Sequence, residues 1–538
     1  MFAMAGDCSR RTFLRSVAAA CAAGALAGCS STPAQSSSSV AGDDKKPKEF
    51  TLAVALAEEP AGLDPALVND FGARQVMAQV YEGLLRFEDE SCEVVPSLAD
   101  LPKVSEDGLT YTFAIRKGVT FHDGTALTAQ AVKENIDRQL DPNRTEQMVC
   151  APLAFGSAVG ANGVESVEAV DQSTVVIKLR AASVSFLAHL AACAVSPIVS
   201  PSAFATAIDH PVGTGPYAFG SWKKGEGIAL ERFDGYWDQQ RKGKAQGISY
   251  TIVKEASQRT NALKSGKVDV AIDVALVSPQ SMSQSGCAME DVPICATSYL
   301  AFNTASKAFG TVEARTAFAK TIDVPTLVAS LYGEEAHYAN AILPADAFPF
   351  VSTVEQVAYN KEEAITELTE LGMAKLKLRC ITYKGPQVFN AKGGKALAEA
   401  LQRYVASAGI TMTIESCDAP EFAKRIKGGE YDVCLNGWSG TSGSADEFFR
   451  LLTETDPHLN VARFNDKALN ELVAMADAQL RDGMRNDLYL QCEQYVSEQR
   501  VWIPLTHCHM ACGQRSAVSG AVYHPTGVVY LQGATKTA

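Results

Sequence analysis

Apolar residues follow two recurring patterns after residue 49, and each pattern predicts a type of element. Short apolar runs bounded by Gly, Pro, Asp or Asn predict strands at Phe50–Ala57, Leu109–Ile115, Ser173–Leu179, Gly227–Arg232 and Ile248–Val253. Apolar residues spaced three and four apart predict helices at Ala129–Leu140, Ala256–Ser265, Val312–Thr321, Lys361–Glu370, Gly394–Ala408, Lys467–Gln479 and Asp487–Ser497. Strands dominate before about residue 303 and helices after it, so we predict a mixed α/β chain with two different domains.

A third pattern occupies the first thirty residues, where a basic segment precedes a single apolar run. Ser9–Arg15 contains three arginines, Val17–Ala27 is apolar, and small residues follow. This order is typical of an export signal, and the apolar run is too short to span a bilayer stably. We therefore predict that residues 1–28 direct the chain out of the cytoplasm.

Two motifs refine this prediction. The segment Ser9–Leu14 resembles the twin-arginine export signal, and Leu26-Ala27-Gly28-Cys29 resembles the lipobox of bacterial lipoproteins. The second resemblance implies that Cys29 is acylated and becomes the new N-terminus. Residues 29–48, rich in Ser, Ala, Pro, Asp and Lys, predict a flexible tether, so we expect an extracytoplasmic protein that is lipid-anchored to the cell membrane. The alternative is a secretory signal that is cleaved without lipidation.

Length and charge restrict the possible partners. About 490 residues follow the tether. A single hydrophobic core rarely organises a chain of this length, so we predict two or more lobes. Without residues 1–28 the chain has 45 Lys and Arg against 60 Asp and Glu, a balance that disfavours nucleic acid and anionic lipid surfaces. We expect no nucleic-acid partner and a monomer.

Cysteine and histidine offer few candidate sites. Eleven cysteines follow Cys29 at wide spacing, which does not suggest a disulfide framework, and we interpret most of them, including Cys193 and Cys434, as core residues. Alternation along a strand at His507–Cys512 places two histidines on one face and two cysteines with Met510 on the other. Neither face has the four ligands of a closed zinc site, so a core strand is favoured and metal ligation is the alternative.

Catalytic motifs are not complete in this sequence. The Gly-x-Ser-x-Gly pattern occurs only in broken form at Gly437–Thr441, and neither a Gly-x-Gly-x-x-Gly loop after a strand nor His-Glu-x-x-His is present. We therefore predict a protein that is not an enzyme and has no cofactor.

A series of short segments carries a family resemblance. The segments are Leu63–Pro65, Val80–Leu85, Pro96–Ala99, Ser105–Phe113, Ile115–Gly124, Val212–Tyr217, Glu231–Trp237, Phe302–Thr304, Glu313–Phe318, Thr321–Asp323, Tyr431–Val433, Asn436–Trp438 and Trp502–Leu505. In sequence and order they resemble the peptide and nickel class of bacterial extracellular solute-binding proteins, over residues 50 to 535.

The resemblance implies an α/β, two-lobed fold of the periplasmic-binding-protein type. It places lobe I at residues 49–300, with an extra subdomain at about 75–200, lobe II at 301–500, and a return to lobe I at 501–538. Two crossovers, expected near Tyr299–Asn303 and Ser497–Pro504, connect the lobes. The implied function is a receptor that closes over a peptide or peptide-like ligand and delivers it to an ABC permease and its ATPase.

The resemblance also suggests which residues contact the ligand. Trp438 and Gly437 match a cleft segment, and Thr441 stands where peptide-binding relatives have an aspartate that pairs with the α-ammonium of the peptide. Thr441→Asp is therefore expected to improve binding of simple dipeptides. Asp446 could replace the missing acid, although we favour its capping a helix that starts at Glu447. Lys384 is the candidate for the peptide carboxylate, with a solvated loop lysine as the alternative.

Two other functions stay open. A nickel-chelate receptor would use Trp438 and His458, but the arginine of the nickel-binding relatives has no match, because the corresponding run is Ala191–Val195. A surface signalling receptor without a permease is the second alternative.

Overall fold

Strands and helices alternate throughout the computed structural model, which describes residues 49–141, 163–192, 196–275, 277–333, 336–344, 347, 354 and 356–537. The predicted signal, the tether, Cys29 and Cys193 lie outside the described residues. The strands are β1 Thr51–Leu56, β2 Leu85–Phe87, β3 Val94–Pro96, β4 Lys103–Val104, β5 Thr110–Ala114, β6 Val164–Ala169, β7 Thr174–Leu179, β8 Tyr217–Lys223, β9 Gly227–Arg232, β10 Gly247–Ile252, β11 Val270–Ala271, β12 Cys287–Phe302, β13 Ala336–Tyr338, β14 Lys377–Tyr383, β15 Thr411–Cys417, β16 Val433–Ser439, β17 Trp502–Arg515, β18 Val518–Ser519, β19 Val522–Tyr523, β20 Val529–Tyr530 and β21 Thr535–Lys536.

The helices are concentrated in the second half of the chain. They are α1 Phe71–Val80, α2 Ala129–Leu140, α3 Phe186–Ala191, α4 Ala256–Lys264, α5 Pro279–Ser283, α6 Val312–Ala319, α7 Val324–Tyr332, α8 Lys361–Glu370, α9 Gly394–Ser407, α10 Ala419–Gly428, α11 Ala445–Thr453, α12 Lys467–Ala478 and α13 Asp482–Gln499. None of these described helices combines the length and apolar character that crossing a bilayer requires.

One large sheet organises the described strands. Its order is β15-β14-β16-β12-β17-β11-β1-β10-β9-β8, with β13 paired to β17. The long strands β12 and β17 pair antiparallel over most of their length, with an irregular segment between Pro293 and Thr297 and a register shift between Ser298 and Tyr299. On one side of this pair lie β11, β1, β10, β9 and β8, and on the other lie β16, β14 and β15. The two long strands therefore belong to both halves of the sheet, while the lobe boundaries given above stay predictions.

Separate hydrophobic cores accompany this sheet. One, the 84–198 core, surrounds the four-stranded sheet β4-β5-β7-β6. Another lies under β1 and β10, and two more cover β12, β14 and β16. Of these last two, the 299–502 core includes Tyr299, Phe448, Phe449 and Trp502.

The elements predicted from periodicity are present within one or two residues of their expected ends, with one exception. Helix α13 begins at Asp482, five residues earlier than predicted, because its first turn is mostly polar and carries no apolar stripe. An ion pair between Arg485 and Asp482, at 2.7 Å, holds the turn that the hydrophobic pattern does not mark.

The cluster His507–Cys512 lies in a strand, as predicted. Within β17, Cys508, Met510 and Cys512 are buried in the core under β1 and β10. His507 Nε2 donates a hydrogen bond to the carbonyl of Ala341, and His509 Nδ1 lies 3.2 Å from Asp291 Oδ2. Cys434 is a core residue, also as predicted.

A histidine clamps the glycine-rich turn at 213–215. The backbone N–H of His122 donates to the carbonyl of Gly213, its Nε2 lies 2.9 Å from the carbonyl of Gly215, and its Nδ1 lies 3.3 Å from the N–H of Gly213. This geometry requires a neutral ring, with the proton on Nε2. A Cβ at Gly213 would meet the carbonyl oxygen of Val80 at 2.2 Å, so the turn packs directly against the end of α1.

We expect His122 to make the fold sensitive to acid. Burial lowers the pKa of His122 to about 4, against 6.5 for an ordinary histidine. Between these values only the unfolded chain takes up the proton, so the free energy of unfolding falls as pH falls, by on the order of 3 kcal/mol at pH 4. Urea unfolding across this range should show a smaller fall for His122→Gln. His458→Gln, at an exposed turn, is the control and should leave the slope unchanged.

Candidate functional site

Trp438 lies where two cores meet. It stands near the end of β16, opposite Thr297 of β12, and its ring packs against both the 84–198 core and the 299–502 core. It is only partly buried. An indole in this position offers an apolar face to any molecule between the two halves. Contact of Trp438 with a ligand stays a prediction.

The loop after Trp438 is organised by one carboxylate, that of Glu447 in the first turn of α11. Its oxygens accept hydrogen bonds from Trp438 Nε1 at 3.1 Å, from the N–H of Thr441 at 2.9 Å and from the N–H of Ser442 at 3.0 Å. The hydroxyls of Thr441 and Ser442 donate to it at 3.0 and 2.8 Å. Five donors thus converge on a carboxylate that is itself buried. No pattern in the sequence marks this role, because a Glu in a first helical turn is ordinary.

This network corrects the interpretation of Thr441. Its hydroxyl points to Glu447 and the residue is almost completely buried, so it does not offer a free hydroxyl to a ligand. An aspartate at this position would set a second carboxylate beside Glu447, and two like charges repel strongly in a buried site. The gain expected from Thr441→Asp therefore loses its physical basis.

Asp446 does not cap a helix starting at Glu447, and that prediction is wrong. Helix α11 begins at Ala445 with Ser444 at its N-cap, so Asp446 lies inside the first turn. Its carboxylate instead contacts His189 Nε2 of α3 at 3.3 Å. Burial raises the pKa of Asp446 and lowers the pKa of His189 to about 4. One oxygen of the acid, Oδ2, is therefore occupied by the histidine of α3.

A second contact joins the same two regions. The hydroxyl of Ser185 donates to Asp477 Oδ1 at 2.6 Å, and the N–H of Val184 donates to the carbonyl of Asp477 at 2.8 Å. Burial raises the pKa of Asp477. The segment preceding α3 is thus hydrogen-bonded to the end of α12, beside the Asp446 contact.

The absence of a side chain at Gly437 leaves room for the ring of Phe389. A Cβ at this position would lie 2.2 Å from a ring carbon of Phe389, so only glycine allows Phe389 to pack on β16 here. The carbonyl of Phe389 accepts from Cys508 Sγ at 2.9 Å, which connects the loop after β14 to β17. Contact of Gly437 with a ligand stays a prediction.

Lys384 is placed on the surface. Its side chain is 63% exposed and lies 3.9 Å from Asp418, the residue that caps α10. This is the geometry of the solvated loop lysine considered above, and a role in binding a carboxylate stays a prediction.

The first half of the sheet contributes charged residues that sequence reasoning missed. Arg74 of α1 is buried, and its Nη2 donates to Ser439 Oγ, next to Trp438, at 3.5 Å. Glu58 and Asp70 lie beside it; burial raises the pKa of both carboxyls, while Arg74 opposes the shift. Their distance in sequence from Trp438 hides this proximity, and no motif marks it.

The structure does not bring the residues proposed for a nickel site together. His458 lies in an exposed turn, where its N–H donates to Asp456. Residues 193–195 of the corresponding apolar run lie outside the described residues. In the described ranges, no group of three or more His, Cys, Asp or Glu side chains is arranged to hold a metal ion.

The fold is of the periplasmic-binding-protein class, and comparisons with known proteins specify the family. The profile for bacterial extracellular solute-binding proteins, family 5 middle region, matches residues 93–458. The chain belongs to this family, whose members are extracellular solute receptors of ABC importers and not enzymes.

Individual relatives span nearly the whole chain. The heme-binding protein A of Haemophilus influenzae is 27% identical over 525 residues, covering 93% of this chain and 95% of the relative. The dipeptide-binding protein of Escherichia coli K12 is 27% identical over 504 residues, covering 89% and 93%. The fold matches the dipeptide-binding protein of Pseudoalteromonas sp. SM9913 in complex with Met-Leu, with a TM-score of 0.81 at 21% identity, covering 90% and 100%.

Proposed function

We propose that this receptor binds a peptide or peptide-like small molecule beside Trp438 and delivers it to an ABC permease. The observation that carries the proposal is the position of Trp438 between the 84–198 and 299–502 cores. Relatives named for dipeptides, di- and tripeptides and glutathione support the class of ligand. The relative named for heme and a fold match to a nickel–histidine complex define the ligands to test against it.

The charges near the loop after Trp438 restrict the charge of the ligand group that contacts this loop. Thr441 is neutral, Glu447 is already bonded to five donors, and Asp446 is paired with His189. A free α-ammonium there would lack its usual partner, which costs several kcal/mol in a buried site. The proposed ligand therefore has a neutral or blocked group at that end, or a terminus that reaches solvent.

Native mass spectrometry of the protein as purified tests the proposal directly, because a co-purified ligand would add its mass to that of the protein. Calorimetry then compares Met-Leu, its N-acetylated form, glutathione, heme and a nickel–histidine complex. Tighter binding of the acetylated dipeptide than of the free one is expected. Binding of heme or the nickel complex alone would contradict the peptide class.

Trp438→Ala is expected to weaken binding of the tightest ligand in that panel by about 2 kcal/mol or more, since a buried aromatic anchor typically contributes this much. The control is Trp222→Ala in β8, which removes an indole that donates to Glu59 and should leave affinity unchanged. If Trp438 serves only the core, melting temperature will fall while the affinity of the folded protein stays the same.

We further propose that the receptor is held at the membrane by lipid on Cys29. The Leu26–Cys29 motif supports this, and a tethered receptor stays near its permease at high effective concentration. Cys29→Ala should release the protein from sedimented membranes without changing its melting temperature. Ser30→Ala is the control and should remain bound. A Cys29→Ala protein that still sediments with membranes would contradict the anchor.

A further inference from the structure

Two cysteines from distant parts of the chain face the same point of the loop that follows Trp438. Cys92 lies in the turn between β2 and β3, and Cys295 lies in the irregular segment of β12. A Cβ at Gly443 would lie 2.4 Å from Cys92 Sγ and 3.7 Å from Cys295 Sγ. The two sulfur atoms are therefore within about 6 Å of each other, and they border the same space beside Gly443.

Their surroundings differ in a way that suits stepwise oxidation. Cys92 is partly exposed, whereas Cys295 is buried. The backbone around each sulfur is fixed, because the carbonyl of Ser91 is bonded by His524 Nε2 at 2.9 Å and the N–H of Cys295 donates to the carbonyl of Pro525 at 2.7 Å. An oxidant from solvent can thus reach Cys92 first, and Cys295 is held behind it.

The contact with the loop gives the pair a place next to the proposed ligand site. Gly443 has a φ of +64°, and it has no side chain to separate the loop from Cys92. On the same loop, the N–H of Gly440 donates to the carbonyl of Cys295 at 2.7 Å. Movement of either sulfur therefore affects the segment that holds Thr441 and Ser442 on Glu447.

We propose that Cys92 and Cys295 are a redox modification site. A low-molecular-weight disulfide oxidises the two thiols, and the product is an intramolecular disulfide between Cys92 and Cys295. The thiolate of Cys92 attacks one sulfur of the oxidant and releases one thiol molecule, which leaves a mixed disulfide. The sulfur of Cys295 then attacks Cys92 Sγ, loses its proton and releases the second thiol molecule. The protein pair loses two electrons and two protons, and the oxidant becomes two thiols.

Incubation of the mature protein with oxidised glutathione, followed by non-reducing digestion and mass spectrometry, tests the proposal. A peptide pair crosslinked through Cys92 and Cys295 is expected, and dithiothreitol should reverse it. Cys380 and Cys434, buried core thiols in adjacent strands, serve as internal controls and should stay unmodified.

Trapping the intermediate separates this pathway from chance oxidation. Cys295→Ala should accumulate glutathione on Cys92, and Cys92→Ser should lose at least nine-tenths of all modification. A stable glutathione adduct on Cys92 in the unmodified sequence, a crosslink to another cysteine, or no reaction would each overturn the proposal. Because the decisive measurement uses the unmodified sequence, poor folding of a variant does not affect it.

Discussion

Replacing Glu447 by alanine is expected to lower the free energy of unfolding by on the order of 4 kcal/mol and to abolish ligand binding. The change leaves two backbone N–H groups, two hydroxyls and the indole N–H of Trp438 without their acceptor in a buried loop. Each buried donor without a partner costs about 1–3 kcal/mol, and relaxation of the loop recovers part of the sum. Urea unfolding and calorimetry on the same preparation measure the two effects.

Two further variants help to interpret the result for Glu447→Ala, one conservative and one a surface control. Glu447→Gln keeps one acceptor oxygen and the shape of the side chain, so we expect an intermediate loss. Glu471→Ala removes an exposed carboxylate whose partner Lys467 is also exposed, and it should change stability by less than about 1 kcal/mol. A loss for Glu447→Ala as small as that of Glu471→Ala would mean that the loop does not depend on its carboxylate.

Breaking the ion pair between Arg138 and Asp64 is the second change with a large expected effect. Arg138 of α2 binds both oxygens of Asp64, at 2.7 and 3.1 Å, and both side chains are buried. The guanidinium also stacks on the ring of Phe204 at 4.5 Å. Arg138→Met leaves a buried carboxylate without its cation, which costs about 3–5 kcal/mol in comparable pairs. Thermal and urea unfolding should both show the loss.

A double-mutant cycle distinguishes loss of the pair from loss of packing. Asp64→Leu with Arg138→Met removes both charges, so it should be less destabilising than Arg138→Met alone. Lys133→Met on the same helix, where the partner Asp137 is exposed, is the control and should have little effect. A double variant that is as unstable as the sum of the two single variants would show that the charges do not interact.

Periodicity predicted most elements because local pattern is sufficient for them. Ala129–Leu140 and Lys361–Glu370 are helices with the predicted bounds, since each begins after a side chain that caps it and carries an apolar stripe. The strand at Gly227–Arg232 is also as predicted. Where the pattern is weak, as in the first turn of α13, the prediction starts too late.

The candidate site was predictable in only one of its aspects. The motif marks Trp438 as a candidate, but the contacts of Asp446 and Glu447 depend on side chains that tertiary packing brings together. His189 is separated from Asp446 by more than half of the folded chain, and no local rule connects them. The pair Arg138 and Asp64 likewise joins the Leu63–Pro65 motif to a helix far along the chain, and no local rule connects them.

The irregular segment of β12 has a mechanical consequence. Between Pro293 and Thr297 the ladder to β17 is interrupted, and a second register shift follows between Ser298 and Tyr299. Bending stiffness of a strand pair comes from its cross-strand bonds, so the sheet flexes most easily where they are missing. Cys295, in the middle of this segment, bonds instead to Pro525 and Gly440. A rotation of one half of the sheet against the other would therefore displace Cys295. Through its hydrogen bond to Gly440, it would also displace the loop beside Trp438.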